Sequence, residues 1–327
     1  MARQSTVGAA AVGTFAETFE AVVENVAQIL QGKEDPTRLA LVCLAAEGHL
    51  LLEDVPGVGK TSLAKALARS FDLEWRRIQF TPDLLPSDVT GASVYDRENG
   101  SFVFRPGGVF ANVVLGDEIN RASPKTQSAL LEAMQERQVT VDNVTRRLPS
   151  PFLVIATQNP VEHEGTYPLP ESQLDRFLLR VRMGYPDRTA EMAMLEQPES
   201  RTSVDDLPPV AGPDAIPTMV SLANQVHVAT ALKAYIVDLA TATRNHPALS
   251  LGMSPRAALA LQRAARALAA SVGREYVIPD DIKYLAGPVL EHRLVLSPEG
   301  VVAGVDISDV VTEVLRGVPV PPGHTGM

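Results

Sequence analysis

His49-Leu50-Leu51-Leu52-Glu53-Asp54-Val55-Pro56-Gly57-Val58-Gly59-Lys60-Thr61-Ser62 decides how this chain is read. The apolar run at its start reads as a buried strand. From Ser62 the apolar period turns helical, with Leu63, Leu67 and Phe71 four apart. Between them lies a glycine-rich turn ending in Lys-Thr, the strand–loop–helix order that a phosphate-binding loop needs. Gly57 and Gly59 let backbone N–H groups turn inward toward phosphate oxygens. The helix N-terminus adds the positive end of its dipole. Pro56, Val58 and Ser62 complete the cradle, Lys60 reaches the outer phosphates, and the Thr61 hydroxyl is suited to Mg2+. One residue departs from the general pattern: the position six before the lysine is Asp54, not glycine. Its carboxylate must point away from the nucleotide or weaken its binding.

Outward from this stretch, Glu74–Phe80, Ala111–Gly116, Phe152–Thr157 and Phe177–Val181 read as further strands, alternating with helical segments. That alternation predicts a mostly parallel α/β sheet. Residues 81–110, with Glu98-Asn99-Gly100, and residues 137–148, around Asp142-Asn143, read as inserted β-hairpins. Before the loop, Phe15, Phe19, Val22, Val23, Val26 and Ile29 have helical spacing that Gly32 interrupts. The expected division is a flexible arm over 1–13, an α/β domain over 14–195, a Pro-rich linker over 196–219 and a smaller all-helical domain over 220–327. In the last, Leu261, Ala264, Ala265, Leu268 and Val272 make one helical face.

Composition narrows the function. Lys plus Arg number 29 against 39 Asp plus Glu, a formal charge of −10, so a global cationic field for nucleic acid is absent. Cys43 is the single cysteine, which rules out a disulfide within the chain and fits a reducing compartment. The N-terminus lacks a signal-peptide pattern, and the apolar stretch Leu39–Leu52 is broken by Glu47, Gly48 and His49. A cytoplasmic protein without a transmembrane segment is the expectation. The six His show no metal-ligand spacing with Cys43.

Asn112-Val113-Val114-Leu115-Gly116-Asp117-Glu118 is an apolar strand ending in two acids. Asp117 can hold Mg2+ through water, and Glu118 can polarise an attacking water. Alone, such an ending is a common solvated turn; beside the phosphate loop it is a second half of a site. Together with Val-Val-Leu-Gly-Asp-Glu-Ile-Asn-Arg-Ala, the loop resembles an AAA+ ATPase. Four further segments resemble the MoxR-type ATPases: Gln-Phe-Thr-Pro-Asp-Leu-Leu-Pro-Ser-Asp-Val-Thr-Gly (79–91), Gln-Ser-Ala-Leu-Leu-Glu-Ala-Met-Gln-Glu (127–136), Ala-Thr-Gln-Asn-Pro (156–160) and Tyr-Pro-Leu-Pro-Glu-Ser-Gln-Leu-Asp-Arg-Phe (167–177). The likeness runs from about residue 20 to 320.

The resemblance implies a P-loop AAA+ core with a helical lid, ATP and Mg2+ as cofactors, and several residue roles. Asn159 matches sensor 1, which orients the attacking water; by itself, Asn-Pro is also a turn starter. Arg176 matches an arginine finger reaching a neighbour's nucleotide; its bland alternative is a salt bridge to Asp175 or Glu171. Arg256 matches sensor 2. Ser254 as N-cap and Pro255 as first helical residue put Arg256 in a first turn, where a cation opposes the dipole unless an anion lies opposite. Gly32 resembles the segment backing the adenine, or else a helix C-cap. Gln79 could couple partner binding to Glu118, and His49 reads as a strand-edge residue.

A finger acting in trans requires head-to-tail subunits, and the resemblance implies a homohexameric ring. The expected nucleotide site lies between the α/β domain, its own lid carrying Arg256, and the neighbour's Arg176. The inserted hairpins would carry the movement of each cycle to a client protein. The implied function is chaperone-like remodelling, maturation or metal and cofactor insertion, commonly with a von Willebrand factor A domain protein. Alternatives are a magnesium-chelatase-like motor subunit, a DNA-directed motor and a non-enzymatic nucleotide-sensing scaffold.

Overall fold

A computed structural model describes residues 9–159, 165–186, 188–189, 191–192 and 203–321. In chain order it has strands β1 (Leu50–Glu53) and β2 (Trp75–Gln79), the pair β3 (Ala92–Asp96) and β4 (Ser101–Arg105), then β5 (Val113–Asp117), the pair β6 (Gln138–Val141) and β7 (Val144–Arg147), β8 (Leu153–Gln158) and β9 (Leu179–Val181). Five of these form one parallel sheet in the order β2-β5-β8-β1-β9. Glu53 pairs with Gln158, and Gln79 with Asp117, so the strand C-termini line up along one edge.

The strands read as apolar runs because both faces are covered. In β1, Leu50 and Leu52 enter one buried cluster and Leu51 the other; Val113 and Leu115 divide from Val114 in the same way. Leu51 is 1% exposed, and truncating such a side chain to Ala costs about 2–5 kcal/mol.

Helices α1 (Ala9–Ala27), α2 (Glu34–Ala45), α3 (Lys60–Ser70), α4 (Pro86–Thr90), α5 (Pro124–Glu136) and α6 (Glu171–Leu174) belong to the α/β part. Beyond it come α7 (Ala215–Gln225), α8 (Thr230–Arg244), α9 (Pro255–Ser271), α10 (Pro279–Leu290), α11 (Pro298–Val302) and α12 (Ile307–Gly317), but the part expected to be all-helical also holds a short antiparallel pair, β10 (Leu249–Leu251) and β11 (Val295–Leu296). The two parts share one hydrophobic cluster, in which Phe15 and Leu41 join Leu261 and Leu285. Alanines at 257, 260, 264 and 265 are buried along α9 and let its neighbours come close. Among the described residues, no helix is long and apolar enough to cross a membrane.

Several expected boundaries shift. Residues 1–8 of the expected arm lie outside the described residues, but 9–13 are helical. Val12 is buried one turn before Phe15 and extends the same apolar stripe. Residues 81–110 are more than a hairpin: α4, with Pro86 at its first position, precedes β3 and β4. The turn of the second hairpin has Asp142 and Asn143 at φ 52° and 62°, the double left-handed geometry of a tight two-residue connection. Of the expected linker, 196–202 fall outside the described residues. Residues 208–211 are fastened to the α/β part: Val210 and Ala211 N–H both donate to the Ser70 carbonyl at 3.0 Å, and Asn25 Nδ2 donates to Pro208 O at 3.0 Å. Helix α7 begins at Ala215, so residues 215–219 are not linker. Val272 ends α9 55% exposed, outside the buried face expected for it.

Candidate functional site

The phosphate loop joins β1 to α3 at the C-terminal edge of the sheet, where open α/β sheets bind ligands. Gly57 and Gly59 have φ of +87° and +98°, a region costly for any residue with a Cβ. A Cβ at Gly59 would also lie 2.7 Å from Leu30. Around Gly57 there is open space. Gly59 caps α3 without a side-chain acceptor, and the first turn of α3 carries no acid. Its leading N–H groups therefore suit an anion. Thr61 and Ser62 sit in that first turn, Val58 is buried beneath the loop, and Pro56 opens it. Lys60 Nζ donates to the Asp54 carbonyl at 2.7 Å. Asp54 resolves its own puzzle: its carboxylate accepts from Val55 N–H at 2.8 Å and from Gly184 N–H at 2.5 Å, away from the glycine turn.

The acids end β5, which β8 separates from β1, on the same edge of the sheet. Thr157 fixes both: its hydroxyl donates to Asp117 Oδ1 at 2.6 Å and accepts from Glu118 N–H at 2.9 Å. Arg77 holds Asp117 Oδ2 at 2.5 Å. Glu118 has left-handed backbone, φ 57°, which aims its carboxylate off the strand end. There Gln79 Nε2 donates to it at 2.9 Å and Arg121 at 3.3 Å. Asn159, buried at 8% exposure, follows β8 on this edge. Gln127, buried, donates to the carbonyls of Ile119, Ala122 and Tyr167 and so ties down the turn after Glu118. Gly32 lies in the turn before α2 with φ +67°, and α1 has already ended at Ala27, so it is no C-cap of that helix. Leu30, against Gly59, brings this turn to the loop.

Arg176 and Arg256 are elsewhere. Arg176 follows Asp175 just before β9, at the N-terminal edge of the sheet. Arg256 lies in the first turn of α9, whose Ser254 cap accepts from Ala257 N–H at 3.1 Å. Its guanidinium is 3.9 Å from Asp175, not over the phosphate loop. Both arginines line a cleft with His49, the residue that enters β1. The length of β1, about 13 Å, separates that cleft from the loop that leaves it. The expected position of Arg256 beside its own subunit's phosphate loop is not the one observed: Arg256 lies by Asp175 and His49, in the cleft at the opposite edge.

This cleft is strongly cationic for a chain of charge −10. Arg137 pairs with Glu47 at 2.7 Å, and buried Arg293 pairs with Asp175 at 2.7 Å. Asp175 is thus taken by Arg293 rather than by Arg176, and among the described residues Arg176 and Arg263 have no ion pair. Burial, then the charges of Arg256 and Arg137, pull the Arg263 pKa down, while Cys43 and Glu47 oppose this. His49 is structural, as expected: Nδ1 accepts from Val154 N–H and Nε2 donates to Met134 O, each at 3.0 Å. Burial lowers its pKa to about 4.

Sequence reading misses Arg77, Thr157 and Arg263. Arg77 is findable, since strand alternation puts it on the face of Gln79. Among the described residues, no cluster of three or more His, Cys, Asp or Glu could hold a metal by itself. Mg2+ bound with a nucleotide needs few protein ligands, and Thr61 with Asp117 fits that demand.

Comparisons with known proteins give the family. The sequence pattern of the ATPase family associated with various cellular activities (AAA) matches residues 49–179, and that of the AAA lid domain matches 241–314. YeaC of Bacillus subtilis is 51% identical over 91% of this chain and 93% of its own. Chaperone MoxR1 of Mycobacterium tuberculosis is 40% identical over 96% of this chain and 85% of its own. Protein MoxR of Paracoccus denitrificans is 32% identical over 83% of this chain and 86% of its own. A crystal structure from Cytophaga hutchinsonii, described as a candidate ATPase, superimposes with TM-score 0.89 at 37% identity, covering 96% of this chain and 98% of that one. With a parallel P-loop core, a helical lid and these relatives, the chain belongs to the MoxR family of AAA ATPases.

Proposed function

We propose that this ATPase works as a closed ring of copies, a hexamer, that remodels or matures client proteins in a chaperone-like way. One observation carries the reading. The phosphate loop and acids occupy one edge of the sheet, and the arginine cleft occupies the other. One copy cannot bring them together; a head-to-tail neighbour can.

In this reading ATP lies on Gly57–Ser62, with Gly32 near the base. Thr61, and Asp117 through water, would hold Mg2+, which would offset phosphate charge. Asp117 shares its carboxylate with Arg77, which holds it in place. Glu118 takes a proton from the attacking water and Asn159 aligns that water. For this the Glu118 carboxylate must leave Gln79, so the 2.9 Å contact is a resting position. Arg176 and Arg256 of the adjacent copy meet the developing negative charge. Loss of the phosphate releases both from that copy's site and lets the interface shift.

Chaperone-like action is supported by the name of the Mycobacterium tuberculosis relative. Exposed aromatics on the first hairpin, Tyr95 and Phe102, offer an apolar contact for a client. A von Willebrand factor A domain protein is the proposed partner, and metal or cofactor insertion a proposed outcome of maturation. The test is ATP turnover and protein capture by Glu118→Gln. Turnover falls about 10²–10⁴-fold while ATP binding persists, and the ATP-held assembly retains client and partner. Undiminished turnover removes Glu118 from the mechanism.

A further inference from the structure

We infer that Asp54 is a positioning residue for nucleotide binding, a latch that holds the phosphate loop against the end of β9. The inference rests on the reading that nucleotide phosphates lie on this loop. Asp54 stands where the general phosphate-loop pattern has glycine, and a carboxylate so close to phosphate is expected to repel it. The fold disposes of that conflict by giving both oxygens backbone partners. Oδ1 accepts from Val55 N–H at 2.8 Å, and Oδ2 accepts from Gly184 N–H at 2.5 Å across 130 residues of chain.

The receiving segment is itself pinned. Lys33, 3% exposed, donates its ammonium to the carbonyls of Met183 and Gly184, each at 2.9 Å. Gly184 is thereby fixed by its N–H to Asp54 and by its carbonyl to Lys33. The Asp54 carbonyl also receives Lys60 Nζ at 2.7 Å. One residue therefore fastens the loop to β9 with its side chain and holds the phosphate-seeking lysine with its backbone. Charge-assisted bonds to backbone N–H groups are the stronger kind, so the loop is held in shape before phosphate arrives. A glycine here would release it.

The test compares ATP turnover and fluorescent-ADP titration in Asp54→Gly, Asp54→Asn and Lys60→Ala of the full chain. Asp54→Gly restores the general motif, yet the latch requires its KM and its Kd for ADP to rise about tenfold, with kcat falling less than threefold. Asp54→Asn keeps one acceptor but turns an NH2 group toward a backbone N–H, and its affinity falls between wild type and Asp54→Gly. Should Asp54→Gly not fold, the Asp54→Asn titration decides alone: a loss of threefold or more supports the latch, and wild-type affinity overturns it. Tighter or unchanged binding by Asp54→Gly overturns it too, because Asp54 is then a neutral or repulsive substitution. If Lys60→Ala also binds as wild type, the phosphate site itself is misassigned; if Lys60→Ala loses binding and the Asp54 variants do not, only the latch fails.

Discussion

The two edges of the central sheet are built from opposite materials. At the C-terminal edge the charged groups of the site have partners: Asp117 has Arg77 and Thr157, Glu118 has Gln79 and Arg121, and Lys60 has Asp54. At the N-terminal edge five arginines line one cleft with two acids, and Arg176 and Arg263 are left without an ion pair among the described residues. Cations crowded together without enough acids are unfavourable in an isolated chain. Under the proposed ring, the first edge is the half that holds the nucleotide and the second is the half that a neighbour's phosphate would complete.

Breaking the second edge has the largest expected effect. Arg176→Ala lowers turnover about 10³-fold or more while ADP affinity in fluorescence titration stays within about threefold. Arg176→Lys does not restore it, because an ammonium lacks the planar fork. A smaller loss sharpens the comparison. Arg263 lies seven residues beyond Arg256 on the same helix and lines the same cleft. Arg263→Ala reduces turnover about threefold to tenfold, read as a change in kcat at saturating ATP, by lowering the potential that greets a neighbour's phosphate. An effect as large as that of Arg176→Ala would make Arg263 a direct contact.

The smallest expected effect concerns stability beneath that cleft. His49 is held neutral, with its pKa lowered to about 4 by burial, and His292 is lowered well below its usual value by burial and by Arg293. The unfolded chain binds protons on these imidazoles near pH 6.5, and the folded chain does not. Stability from them is therefore complete above about pH 6.5 and is lost as pH falls toward 4. For His49 the loss is about 3 kcal/mol. Denaturant midpoints measured between pH 7.5 and about 4.5 should decline, and His49→Gln should flatten part of that decline.

The C-terminal edge is legible in the sequence because its residues are local. Gly57, Lys60, Asp117 and Glu118 each lie at or just beyond the end of an apolar strand, and a strand's end is a position that pattern reveals. The second edge is not legible to the same degree. Ser254 and Pro255 place Arg256 in a first turn, as the structure has it, yet which edge it faces depends on how α9 docks on α1 and α2. That docking is set by buried alanines meeting residues far away in sequence, which no local signal announces. The Asp54 carboxylate is a similar case, since Gly184 lies 130 residues away. Val12 shows the reverse failure: an apolar residue in a run of small ones reads as arm and is buried helix.

In the proposed ring Arg256 serves the nucleotide of an adjacent copy, and a mixture of two inactive variants tests this. Glu118→Gln supplies intact arginines, and Arg256→Ala supplies an intact acid edge. In a randomly mixed ring about one interface in four pairs the two, so turnover should recover toward a quarter of wild type. If Arg256 acted within its own copy, no subunit in the mixture would hold both groups. Turnover would then stay at the level of the separate variants, contradicting the account.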